Sequence, residues 1–358
     1  MIQRRTVLAG LAGALTSPAI AAAQTAKPLV VRFGFANVGV DNRQFSGGSA
    51  LAVAHAEHYF EKELADRPEV RIEYFFFKGA GPAVNEAFAN GQLDFASQGD
   101  LPQVVGRANG LKTRQLGANG AHGPMYLAVP AKSELRSVKD LKGRKVSIFR
   151  GTNNHLAAVK VLAANGLSER DLQGINMDEA STNAALATGN IDAAFGNFGL
   201  LLLEQQGLVK VIYTTKGDNP AFERQGTLIA DDGFVTRNPD ITQKIVTAFV
   251  KAAHWSSQEE NREAFFEISA RSGRPAAAYR ADFSEQALKY RNSPLIDDYL
   301  LEQYRTQARQ AKEYGLIRRD VSVDGWFDPQ FVQAALKQLG LEHFWPRYDA
   351  GGKPEDKA

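Results

Sequence analysis

Lys145-Val146-Ser147-Ile148-Phe149-Arg150-Gly151-Thr152-Asn153-Asn154-His155-Leu156 is the stretch on which the reading of this chain turns. Val146 to Phe149 is a short β-prone run, Gly151 permits a tight turn, and Thr152 or Asn153 can cap the apolar-periodic helix that follows. The start of such a helix leaves backbone N–H groups without partners and carries the positive end of the macrodipole, a setting that suits the head group of an anion. Strand, turn and helix in this order also occur as ordinary scaffolding in α/β proteins. The rest of the chain decides between a plain capped helix and half of a binding site for a small anion.

Outward from this stretch, Gly189-Asn190-Ile191-Asp192-Ala193-Ala194 repeats the pattern of Gly91-Gln92-Leu93-Asp94-Phe95-Ala96, and each follows a short helix. Two lobes of similar construction explain the repetition, each with a helix, a Gly stop and a buried strand. On the N-terminal side, Pro28 to Phe35 reads as a first strand running into Ala36-Asn37-Val38-Gly39-Val40, and a helix fits Ser49 to Leu64. Val70, Ile72, Tyr74 and Phe76 alternate along a second strand, which Lys78-Gly79-Ala80-Gly81-Pro82 breaks, and a helix fits Ala83 to Asn90. Ser97-Gln98-Gly99-Asp100-Leu101-Pro102 is a second strand-to-helix turn, with Asp100 as cap and Pro102 in the first turn. The extended runs Gly123 to Pro130 and Arg224 to Ala230 fit two strands that leave and return between lobes, making a hinge. Beyond them the chain turns helical: from Asn238-Pro239, from Asp297 to Tyr314, and from Pro329 to Leu339 with Asp328 as cap. The tail from Asp349 is polar and is expected to fray.

The two ends and the composition bound the function. Residues 1–23 carry Arg4-Arg5, an apolar run from Val7 to Leu15 and Ala21-Ala22-Ala23, the pattern of an export signal. The paired arginines point to a twin-arginine-like or Sec route, and an exported soluble chain is expected in a periplasm. Removing these residues takes away two basic and no acidic side chains, leaving 40 of each sign, which argues against nucleic acid as a partner. No cysteine occurs in the 358 residues, so disulfides, thiolate metal sites, Cys nucleophiles and a lipid-anchored Cys are excluded. His55 and His58 are three apart with Glu57 between them, but no third convergent ligand follows, and neither a metal nor a cofactor is expected. Gly79-Ala80-Gly81 lacks the Lys-Ser/Thr of a P-loop, and neither a Gly-x-Ser-x-Gly elbow nor a His-Glu-x-x-His motif is present.

Taken together, Lys78 to Pro82, Gly91 to Asp94, Ser97 to Pro102, Asp140 to Val146, Gly151 to His155 and Gly189 to Ala193 resemble the substrate-binding proteins of ABC importers, in the aliphatic-sulfonate, taurine and nitrate group. The resemblance covers roughly residues 28–250. It implies an α/β, two-lobed type II periplasmic-binding-protein fold, with two hinge strands and C-terminal helices packed on lobe one. Lobe one would comprise 28–123 plus 226–345, lobe two 124–225, and the flexible tail 349–358. It implies no catalysis, a small sulfonate-like anion as ligand, a membrane ABC permease with its ATPase as partner, and a monomer. One departure stands out: Phe195-Gly196-Asn197-Phe198 occupies the place where sulfonate binders of the group carry Trp-Asp-Pro-Tyr. Nitrate, taurine or a pyrimidine precursor is the alternative ligand, and a sensor subunit or an enzyme on the same fold the alternative class. The thiol-dependent desulfinases and the Cys-rich pyrimidine-precursor synthases among those enzymes are disfavoured by the missing cysteines.

Open α/β sheets bind ligands at the carboxyl ends of their strands. Lobe one then offers Asn37 and Val38, Gly79, Ala80 and Gly81, and Gln98, Gly99 and Asp100; lobe two offers Gly151, Thr152, Asn153 and Asn154, with Asn197 opposite. Neutral N–H and hydroxyl donors are expected to hold the anion in place of a buried Lys or Arg, which avoids desolvating a cation. Asp100 fits a helix cap better than a ligand contact, Arg150 and His155 are candidates for positive charge at the rim, and Phe195 and Phe198 for an organic tail. Phe75-Phe76-Phe77 reads as sheet core.

Overall fold

The structure, a computed structural model, describes residues 28–355, so the export signal read at residues 1–23 lies outside the described residues. Two five-stranded sheets divide the chain. The first orders β2 (Val70–Phe76), β1 (Leu29–Phe35), β3 (Phe95–Gly99), β10 (Gly226–Asp231) and β4 (Thr113–Ala118). The second orders β7 (Gln173–Ile175), β6 (Lys145–Ser147), β8 (Ala193–Gly196), β5 (Tyr126–Pro130) and β9 (Val209–Thr214). The plan is the same in both. Three parallel strands lie at one side, and the antiparallel strand beside them, β10 or β5, is the one reached by crossing over from the other sheet. The crossings meet at one point, where Gly123 and Arg224 exchange both backbone hydrogen bonds at 2.9 Å.

The repeated hexapeptide has a physical meaning here. Helix α3 (Ala80–Ala89) ends with Gly91 at φ 63° donating to Phe88 O and Gln92 donating to Ala87 O; the helix Glu179–Ala187 ends with Gly189 at φ 73° donating to Leu186 O and Asn190 to Ala185 O. Both are Schellman caps, and only glycine takes that left-handed position without cost. The Asp that follows does the same work twice. Asp94 accepts from the backbone N–H of Arg32 at 2.8 Å, midway along β1, and Asp192 from that of Lys145 at 2.7 Å, at the start of β6, so each pins the neighbouring strand. The hexapeptides are therefore cap and return, and the strands proper begin only after the Asp, at Phe95 and Ala193.

Burial follows the alternation read in the sequence. Val31, Phe33 and Phe35 of β1 are buried; Phe33 stacks on Phe95 at 6.2 Å and Phe35 on Phe76 at 4.9 Å. On the edge strand β2, Val70, Ile72, Tyr74 and Phe76 face this core, while Phe75 is exposed. The single helix expected over Ser49 to Leu64 is instead two, α1 (Ala50–Ala56) and α2 (Tyr59–Glu63), broken at His58 with φ 56°. Histidine is among the few non-glycine residues enriched in that region. The helix Pro239–Ser256 buries Ile241, Ile245 and Phe249 and packs on α1, α2 and the helix Gln330–Leu339, placing the C-terminal helices on the first sheet. Asp328 does not cap that last helix: its carboxylate accepts from Arg114 and from the Gln330 side chain. The tail expected to fray from Asp349 folds back as far as Glu355, because Asp349 accepts from the N–H groups of Gly351 and Lys353 and Glu355 N–H reaches Arg347 O at 2.9 Å.

Asp94 also receives the Arg32 guanidinium at 2.9 and 2.7 Å, whereas Asp192 holds a backbone N–H with no such cation. Hydrogen bonds to charged groups contribute ~1.5–3 kcal/mol, so Asp94→Ala should cost ~2–3 kcal/mol and Asp192→Ala ~1–2 kcal/mol in urea unfolding. Equal losses would mean that the guanidinium adds nothing.

Candidate functional site

A cavity of about 730 Å³ lies between the sheets, at the carboxyl ends of their parallel strands. Its first wall includes Asn37 and Val38 after β1, Ala80 and Gly81 at the start of α3, and Gln98 and Gly99 at the end of β3. Its second wall includes Thr152, Asn153 and Asn154, where α5 (Asn153–Ala164) begins, and Asn197 after β8; between them in the chain run α4 (Asp100–Ala108) and the first crossing. Gly79, Asp100 and Gly151 stand behind this lining. Gly79 precedes α3, and Gly151 takes the left-handed φ of 76° that turns the chain into α5. Asp100 is buried; its carboxylate accepts from Leu101 N–H at 2.6 Å and from Gln225 N–H at 2.8 Å. Burial pushes its pKa up from the usual carboxylate value against those two donors and the pull of Lys160.

The turn before α5 leaves its N–H groups to the cavity. The Thr152 hydroxyl does not cap the helix but donates to Phe149 O at 2.6 Å. The N–H groups of Thr152, Asn153 and Asn154 meet no acceptor among the described residues. His155 shapes the turn from behind: its Nδ1 accepts from Gly151 N–H at 3.1 Å, so Nε2 carries the hydrogen that reaches Glu169 at 2.9 Å. It is a buried brace set back from the cavity lining, and Arg150, also outside that lining, pairs with Glu169 at 3.2 Å. His155, with Arg150 beside it, holds the Glu169 carboxyl below its usual pKa.

The cavity also holds cations, which corrects the expectation of neutral donors alone. Lys78, Arg224, Arg274 and Arg291 all line it. Lys78 pairs with Asp178 at 3.4 Å, Arg274 with Glu179 at 2.9 Å and Arg291 with Asp282 at 3.0 Å. Arg224 has no carboxylate within 4.0 Å among the described residues. Its Nε and Nη2 donate to Pro124 O at 3.0 and 2.5 Å, which fixes the guanidinium at the crossing. Desolvation lowers its pKa against the pull of Asp282, yet arginine does not lose its proton in proteins, so it remains a half-buried cation with no carboxylate in direct contact. Sequence reading missed it: Arg224 opens the extended run read as a returning strand, and nothing in that run marks its side chain as a site residue.

The walls touch. A Cβ added to Gly99 would lie 2.9 Å from the Asn153 Cβ, and one added to Gly151 would lie 3.1 Å from Pro82 Cγ. With the Lys78–Asp178 and Arg274–Glu179 pairs, these contacts hold the cleft closed. His55 is packed among the rings of Phe35, Tyr74 and Phe76, and no group of three or more His, Cys, Asp or Glu among the described residues is arranged to hold a metal. No helix among the described residues is long and apolar enough to cross a membrane.

Comparison with known proteins adds to this geometry. The family described as NMT1/THI5 like is matched by residues 50–262. A protein of Escherichia coli provisionally named an aliphatic sulfonates-binding protein is 29% identical over 191 residues, 53% of this chain and 56% of that relative's length. A solved structure from Methylobacillus flagellatus, provisionally named the periplasmic sulfonate-binding protein SsuA of a sulfonate ABC transporter, superposes with a TM-score of 0.78 at 33% identity, covering 90% of this chain and 98% of that one. The desulfurization enzyme DszB shares the fold at a TM-score of 0.65 and 17% identity. The two-lobed α/β fold is thus that of the periplasmic binding proteins of the SsuA type.

Lys160, on the buried side of α5, donates to Ala221 O at 2.8 Å, and burial lowers its pKa from 10.5 to about 8. Below pH ~8 the lysine is charged in both folded and unfolded chains and the full penalty of roughly 3 kcal/mol applies; from there to about 10.5 the unfolded chain binds more protons, so stability rises with pH. Lys160→Met should flatten that rise and stabilise the protein at pH 7 by ~1–2 kcal/mol after the lost bond to Ala221 is counted. Denaturant unfolding of both proteins at pH 7, 9 and 10.5 checks it; parallel curves would show that Lys160 is not the titrating group.

Proposed function

The chain belongs to the NMT1/THI5-like family, and from that premise we propose that it is a periplasmic solute-binding protein, which captures a sulfonate-like organic anion between its two lobes and delivers it to a membrane ABC permease with its ATPase. The observation that carries the reading is the convergence, in one cavity, of the open start of α5 and the unpaired guanidinium of Arg224. A tetrahedral sulfonate presents three acceptor oxygens, and the N–H groups of Thr152, Asn153 and Asn154 with the free edge of Arg224 supply matching donors. The name and 33% identity of the Methylobacillus protein support sulfonate as the head group. The signal at residues 1–23 supports export to the periplasm.

The lobes in this reading are 28–123 with 226–345, and 124–225, joined at Gly123 and Arg224. Closure brings the α5 start onto Gly99, so the site is complete only when the walls meet, and a bound anion selects the closed state. Binding without chemistry is supported by the absence of cysteine and by the engagement of Asp178, Glu179 and Asp282 in ion pairs, which leaves the exposed Asp41 as the one unpaired carboxylate among the described lining residues. A binder returns its ligand unchanged, which mass spectrometry after incubation reads directly.

Thermal unfolding against alkanesulfonates, taurine, nitrate, sulfate and neutral heteroaromatics is the first test. A ligand at ~100 times its Kd adds ~2.7 kcal/mol of stability. Sulfonates should stabilise the protein; stabilisation by a neutral heteroaromatic alone would overturn the anion reading.

Arg224→Gln should weaken sulfonate binding ~10–100-fold in calorimetry, since a charge-assisted hydrogen bond is replaced by a neutral one. Unchanged affinity in a folded variant would remove Arg224 from the site.

Gly99→Ala should hold the lobes apart, raise the radius of gyration in X-ray scattering with ligand present, and weaken binding. An unaltered ligand-induced compaction would show that Asn153 yields instead.

A further inference from the structure

We infer that the ligand of this cavity is an arenesulfonate, an anion whose tail is an aromatic ring system in place of a short or amino-bearing chain. The inference rests on the anion-binding reading of the same cavity. At about 730 Å³ the space falls within the range of pockets that enclose drug-sized ligands, and a two-carbon sulfonate would leave most of it to water. The wall beyond the head-group donors is apolar and partly open. Phe149, Met177, Phe198, Leu202 and Leu203 come from the second lobe, and Val38 lines the same cavity from the first. Phe198 is held rigidly, packed 4.9 Å from Tyr279 and with the Arg274 guanidinium 5.5 Å from its ring centre. A fixed ring and a thioether in one cavity wall suit a flat aromatic partner, and aromatic pairs add attraction beyond the area they bury.

The charges exclude the competing tail. An ammonium, as in a short aminosulfonate, needs a carboxylate free to meet it. Asp178, Glu179 and Asp282 are already held by Lys78, Arg274 and Arg291, leaving only Asp41 in an exposed loop. Binding an ammonium at Glu179 or Asp282 would break a shielded pair and leave its guanidinium unmatched, and the Asp178 carboxylate is already engaged by Ser181 N–H and Lys78. A hydrocarbon tail breaks none.

Isothermal titration of the protein with methanesulfonate, taurine, octanesulfonate and naphthalenesulfonate tests this. Each methylene equivalent removed from water is worth about fourfold in affinity, so naphthalenesulfonate should bind at least ~100-fold more tightly than methanesulfonate or taurine. Phe198→Leu keeps an apolar side chain but removes the ring, and should cut the preference for naphthalenesulfonate over octanesulfonate by ~2–10-fold. Taurine or methanesulfonate binding as tightly as naphthalenesulfonate overturns the inference and leaves the sulfonate reading standing. So does octanesulfonate binding tightest with no change of preference in Phe198→Leu. Silence from all four sulfonates overturns the sulfonate reading itself, and this inference with it.

Discussion

The point where the two crossings touch governs the rest of the molecule. Gly123 and Arg224 pair through their backbones, and the residues around Arg224 each grip a neighbour. Glu223 meets His122 at 2.8 Å, the Arg224 guanidinium holds Pro124 O, and Gln225 exchanges backbone and carboxylate bonds with Asp100 at the start of α4. His122, with φ 55°, lies between the rings of Tyr290 at 3.8 Å and Tyr299 at 4.9 Å. Such a strained residue persists only where its surroundings over-determine it. The crossing is therefore the fixed point, and the side chain of Arg224 belongs to it more than to either sheet.

That placement separates two kinds of donor. Arg224 is oriented by the crossing itself, through Pro124 O, whereas the N–H groups of α5 belong to the second wall, which meets the first at Gly99. The ion pairs that span the closed cleft do not hold it firmly by themselves. The Lys78 side chain is 63% exposed, and exposed pairs contribute ~0–1 kcal/mol. Arg274 with Glu179 is better shielded, and the Phe198 ring lies against the same guanidinium. In the proposed carrier, a bound anion adds to these modest contacts and biases the lobes towards closure.

Much of the fold was legible because it rests on local rules. The Gly-polar-aliphatic-Asp repeat announced two equivalent units, and both proved to be Schellman caps followed by a carboxylate that pins the adjacent strand. The alternation in β2 and the helix stops at Gly91 and Gly189 were similarly local. The cap at Thr152 was misjudged in detail, because its hydroxyl prefers the Phe149 carbonyl and His155 takes the bond from Gly151. The arginines were invisible for a different reason. Arg224, Arg274 and Arg291 are separated by up to 67 residues and converge only through the packing of the C-terminal helices onto the first sheet. No periodicity or motif signals such a convergence, and the expectation of neutral donors followed from the general cost of burying a cation.

That cost is what makes the arrangement selective. A half-buried guanidinium with a carbonyl on one edge and no carboxylate in direct contact is under-satisfied, so a neutral ligand filling the cavity would remove its remaining water without replacing it. An anion restores the missing partner, and its own desolvation is offset by the same contact together with the α5 N–H groups. Rejection of neutral ligands therefore needs no steric device: it follows from leaving one cation unpaired while pairing the other three. The apolar wall acts on the opposite end of the ligand, where no charge is left to meet, so the cavity reads head and tail by independent terms, electrostatic at the crossing and hydrophobic in the second lobe.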